Sequence, residues 1–193
     1  MTNRIPRSLS HLRPAVPWRE TLVAAVIVGA SAALTIGVGH GSAGSAVGSD
    51  AGVLPEAGWE TFTTILLRNS AVALGLFSGA VTLGITTGVF LLLVGGMLGW
   101  SMAISAAALG VAETLLRSWA YTPLELAGFV LAGAAGLIPL FAVVGRATGN
   151  TAARGESLPR ALRTFVVALS VLVLAAGVET ASIGWTALRT GIV

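Results

Sequence analysis

The sequence predicts an all-α protein, a polytopic bundle of about five transmembrane helices with a cytoplasmic N-terminus and a C-terminus outside. Three observations carry that prediction. Apolar residues make up 55% of the 193-residue chain and charged residues only 10%, far below the charge content of a soluble domain. The apolar residues fall in runs close to the length a helix needs to cross hydrocarbon, where backbone groups must be bonded within their own segment. The basic residues, all eleven of them arginine, gather in the first segment and in one later connection, on the same side of a five-span chain.

Residues 1–19 hold Arg4, Arg7, Arg13 and Arg19 with three prolines and no acid, which suits a solvated cytoplasmic segment. The first span covers 21–39. A cleavable secretory signal is the rival reading of this run, given its basic leader and the small residues that follow. Against it, the run is long for a signal core, and Ala25, Gly29, Ala33 and Gly37 make a small-residue stripe suited to helix packing. An external loop at 40–58, rich in Gly and Ser and free of Arg, leads to a second span at 62–83 and a third at 85–109. Between Gly110 and Thr122 the sequence suits a short interfacial helix anchored by Trp119 and Tyr121. The fourth span covers 123–144, with Pro123 in a first turn where its missing N–H does no harm. The cytoplasmic loop 145–163 carries Arg146, Arg154, Arg160 and Arg163 against Glu156, and a fifth span at 164–188 completes a single domain over 20–189.

The stretch from Arg68 to Gly99 is the centre of the chain: two spans joined by a tight turn, which the sequence places at Gly84-Ile85-Thr86-Thr87-Gly88. Gly75 and Gly79 precede that turn, Gly95 and Gly99 follow it, and Gly128 and Gly136 recur on the fourth span. Small residues at helical spacing let helices approach closely in lipid, so these six are the expected packing positions.

Ionisable groups inside spans are costly, about 2.5 to 3.5 kcal/mol each on insertion scales. Three stand out, Arg68, Glu125 and Glu179, and residue counting at about 1.5 Å per residue places all three in the outer half. Arg68 is expected to pair with Glu179, Glu125 or both, with Asn69 adding a hydrogen bond. Such a cluster either fixes helix register or lines a polar path; the inner halves of the spans carry no further acids to extend one.

Catalytic chemistry finds no foothold. There is no cysteine, and His11 and His40 lie outside the spans, so no zinc set and no histidine base for Ser78 is in place. No catalytic, cofactor or metal residue is predicted, and no basic stripe with interleaved aromatics points to nucleic acid.

Several motifs resemble the stage II sporulation protein M family across about residues 60 to 187. Arg68-Asn69 followed by Leu74-Gly75, Gly79 and Gly84 is similar to the family's second-span opening. Gly95-Gly96-Met97-Leu98-Gly99 is similar to an element in which the family usually begins with Asn. Ala120-Tyr121-Thr122-Pro123-Leu124-Glu125-Leu126 resembles a Pro-His-Gly-x-x-Glu-Leu element, keeping the Glu and Leu but not the Pro, His or Gly. Glu179 in AAGVETAS resembles the acid of the family's last helix. The resemblance implies a membrane component of a complex with cell-wall-degrading proteins. The expected function is therefore a non-enzymatic multi-pass scaffold of the cell membrane, whose partners are the lipid bilayer, other membrane or envelope proteins and further copies of the chain. The alternative is a small transporter or channel component that uses the Arg/Glu cluster.

Overall fold

The computed structural model describes residues 18–42, 57–148 and 157–190. Most of the Arg/Pro-rich first segment and the central parts of the loops at 40–58 and 145–163 lie outside the described residues. Six α-helices carry the chain: α1 (Trp18–Ser42), α2 (Trp59–Phe77), α3 (Ile85–Leu109), α4 (Val111–Ser118), α5 (Thr122–Ala147) and α6 (Ser157–Thr190). Four of them are long and apolar enough to cross a membrane, with spans at Trp18–Val38, Ile85–Leu109, Thr122–Ala147 and Ser157–Leu188. The segment expected as the second span, α2, is not among the four, because Glu60, Arg68 and Asn69 dilute its apolar content. At 34 residues α6 is about 50 Å long, so it outreaches a hydrocarbon core of about 30 Å.

The contacts fix the relative directions of the helices. Val28 and Ala32 of α1 meet Gly95 and Gly99 of α3 in the same order, so those helices run parallel. Asn69 and Leu76 of α2 meet Glu125 and Gly136 of α5, again in parallel. Gly128 of α5 meets Leu172 of α6 while Glu125 faces Glu179, which makes α5 and α6 antiparallel. Stacked rings of Phe77 and Phe165, 4.3 Å between centroids, join the end of α2 to the start of α6. The bundle thus has a turn end, where α2 gives way to α3, and an α4 end, where α3 gives way to α5.

The turn is displaced from its expected position. Helix α2 stops at Phe77, a 3-10 turn follows at Ser78–Ala80, and Gly84 at φ +85° caps α3. Ile85, Thr86, Thr87 and Gly88 are therefore helical rather than a loop. Their hydroxyls account for the difference. Ser78 Oγ donates to Thr86 Oγ1 at 2.9 Å, Thr82 and Thr86 bond at 2.8 Å, and Thr87 Oγ1 donates to the orphan carbonyl of Leu76 at 2.7 Å. Ser78, which the sequence leaves without a histidine, shares its one hydroxyl proton between Thr86 Oγ1 and Gly75 O, the latter at 2.7 Å.

The core lies where α1, α2, α3, α5 and α6 converge, around Ala24, Leu76, Leu91, Ala135 and Leu172. Each expected packing glycine sits where a Cβ would collide: Gly75 with the Phe90 ring, Gly79 with Thr87, Gly95 with Ser31 and Val28 O, Gly99 with Thr35 and Ala32 O, Gly128 with Leu172, and Gly136 with Leu76 O and Thr87 Oγ1. Gly133, which was not anticipated, meets Leu91 in the same way. The small-residue stripe of α1 is corrected by one position around the helix. Ala25, Gly29, Ala33 and Gly37 are exposed, and a Cβ on Gly29 or Gly37 would touch nothing within 4 Å. The contact face is Ala24, Val28, Ser31 and Thr35; the last two can face the glycines of α3 because their hydroxyls are already bonded to carbonyls of α1.

Candidate functional site

At the α4 end the packing opens. A cavity of about 470 Å3 lies among α2, α3, α4, α5 and the later part of α6, a volume within the range of small-molecule sites. Its lining includes the polar cluster. Asn69, only 8% exposed on α2, donates through Nδ2 to Glu125 Oε1 of α5 at 2.7 Å. A hydrogen bond to a carboxylate in a poorly hydrated setting is among the stronger kinds available to a protein. Glu179 of α6 also lines the cavity, close enough to Glu125 to act on it electrostatically, so the polar cluster draws on α2, α5 and α6.

Arg68 also lines the cavity, close enough to act electrostatically on Glu179, but it forms no ion pair among the described residues. This corrects the expected pairing of Arg68 with Glu179 or Glu125. Its neighbour Asn69 takes the inward position, and Arg68, one residue earlier and about 100° around the helix, is exposed. The described ion pair at this end is instead Arg117 with Glu113 on α4, at 2.8 Å with both side chains 46% exposed, a geometry that contributes little stability.

The short helix α4 supplies the remaining wall. Gly110 at φ +84° breaks the chain direction after α3, and α4 packs back onto α3. Val111, Leu115, Leu116 and Trp119 are exposed, while Thr114 and Ser118 are buried on the opposite side. That division suits an interfacial helix with its apolar side in lipid. Ser118 Oγ donates to Thr114 O, but Thr114 Oγ1, on a residue 6% exposed, has no hydrogen-bond partner. Buried hydroxyls are nearly always bonded, so this one stands out among the polar groups around the cavity.

Tyr121, between α4 and α5, completes the rim. Burial pushes its phenol above the ordinary 10.0, and the carboxyls of Glu179 and then Glu125 push it further. From the sequence this residue reads only as an aromatic anchor; its place beside the carboxyls appears only in the folded chain. Thr114 and Arg117 carry a weak signal, being three residues apart on the polar side of a predicted interfacial helix. Among the described residues no group of three or more His, Asp or Glu side chains is arranged to hold a metal ion.

The chain matches the family model described as stage II sporulation protein M over residues 21–182. No curated protein and no solved structure matches it.

Proposed function

Because this chain belongs to the stage II sporulation protein M family, we propose that it is a non-enzymatic, multi-pass scaffold of the cell membrane that assembles partners for envelope or membrane remodelling. The family match over most of the chain is the observation that carries this reading. Helix seams too tight to admit a Cβ support it, since a scaffold needs a fixed shape rather than a moving one. Its partners are other membrane or envelope proteins, further copies included. Mild crosslinking in native membranes followed by affinity purification should recover the same partner proteins reproducibly; recovery of the chain alone would sink the scaffold reading.

The topology proposed with it has five crossings, with α2 as the polar one, the N-terminus cytoplasmic and the α4 end outside. The Arg distribution and the alternating helix directions support it. A reporter fused after Gly155 is expected to stay cytoplasmic and one inserted near Ser45 to be exported; export of the first would overturn this topology.

The cavity favours a second reading, a small transporter or channel component that uses Arg68, Glu125 and Glu179. Proteoliposomes would then pass a solute at a rate that Glu125→Gln reduces. A flux indifferent to all three side chains would dispose of this alternative.

A further inference from the structure

The cavity at the α4 end holds both signs of charge without joining them. Arg68 lines it with no ion pair among the described residues, and the Arg117 pair is solvent-exposed and readily exchanged. Glu125 and Glu179 both line it, close enough to act on each other, and the hydroxyl of Thr114 is buried with no partner among the described residues. A ligand carrying one sign alone would satisfy one wall and be repelled by the other. A zwitterion satisfies both. The other lining is apolar, including Met97, Leu98 and Phe129, and the neighbouring α4 has the amphipathic division of a helix lying at headgroup depth.

We propose that this cavity binds the headgroup of a zwitterionic phospholipid bearing a primary ammonium, the ammonium seated between Glu125 and Glu179 and the phosphate held by Arg68, Arg117 and the Thr114 hydroxyl. The ammonium has N–H donors for the two carboxyls, and the phosphate oxygens accept from the guanidinium groups and from Thr114. The acyl chains leave along the apolar lining. A choline headgroup carries the same charges but no N–H donor, and a glycerol headgroup carries no cation, so both fit less well. The inference stands apart from the scaffold reading, because a bound lipid is compatible with any role of the chain.

The test is native mass spectrometry of the full chain, delipidated in detergent and offered equal amounts of phosphatidylethanolamine, phosphatidylcholine and phosphatidylglycerol. Phosphatidylethanolamine should be retained at least about tenfold over the other two, the equivalent of one charge-assisted hydrogen bond. Thr114→Val, close in shape and free of the unbonded hydroxyl, should fold normally and weaken retention severalfold. Glu125→Gln should erase the preference for ethanolamine over choline. Equal retention of the three lipids, or undiminished retention of phosphatidylethanolamine by Thr114→Val, would overturn the proposal. Competition by O-phosphoethanolamine as strong as that by the lipid would overturn the assignment to a lipid and identify a soluble zwitterion as occupant.

Discussion

The two ends of the bundle use the same helices to opposite effect. At the turn end, α2, α3 and α5 approach until Gly136 rests against the Leu76 carbonyl and Thr87, and every hydroxyl of the Ser78–Thr87 stretch has a partner. At the α4 end the same three helices diverge around a cavity that holds a buried unbonded hydroxyl and two facing carboxyls. Association in lipid gains little from hiding apolar surface, so close packing and polar bonds supply the cohesion. The turn end has both. The α4 end gives up packing and gathers polar groups around the cavity instead.

The largest expected effect lies at the tight end. Gly136→Ala puts a methyl group against a backbone carbonyl that cannot swing aside and should destabilise by about 3 kcal/mol in a reversible detergent-unfolding assay. Gly29→Ala is the matched control, with open space around it, and should lose nothing, gaining up to about 1 kcal/mol from helix propensity. Equal effects from the two would erase the distinction between packed seam and open face.

Next in size is the one strong bond at the loose end. Asn69→Ala strands Glu125 and should cost about 1 to 3 kcal/mol in the same assay. A loss as large as that of Gly136→Ala would make the polar layer as structural as the seam. Arg68→Ala, by contrast, breaks no ion pair among the described residues and should cost less than about 1 kcal/mol. A cost of several kcal/mol would restore the buried pairing expected from the sequence.

The smallest effect is also the most local. Tyr121 is the sole tyrosine, so ultraviolet absorbance of the ionised phenol follows it directly. Its midpoint should lie above 10.0 in the folded chain and return toward that value on denaturation. The phenol is held neutral in the folded state, so its contribution to stability is whole below pH 10.0 and is lost as pH rises through the folded midpoint. Glu179→Gln should lower the midpoint; a midpoint indifferent to that change would place Tyr121 away from the carboxyls.

Much of this was legible in the residues. The range of α3, the short helix after Gly110 and the grouping of Asn69, Glu125 and Glu179 in one layer all follow from hydropathy and from residue counting. What counting cannot supply is azimuth. It sets Arg68 and Asn69 at one depth, and only the rotation of α2 against α5 turns Asn69 inward and Arg68 outward. On α1 the stripe at Ala25, Gly29, Ala33 and Gly37 and the true face at Ala24, Val28, Ser31 and Thr35 differ by about one residue, and a helix apolar all round gives no period by which to choose. The turn was misplaced because Gly84 and Gly88 read as breakers at either end of a loop, whereas Gly84 caps α3 and Thr87 ties its first turn to the end of α2.

The sequence by itself determined that the chain is all-α, with several helices long and apolar enough to cross a membrane, because polar groups and unpaired backbone are costly in hydrocarbon. Tertiary structure alone decided which faces meet, which carboxyl takes the Asn69 amide and where a cavity remains. Lipid is as apolar as a protein core, so hydropathy cannot tell an inward face from an outward one, and the choice falls to the fit of individual side chains against glycine and backbone.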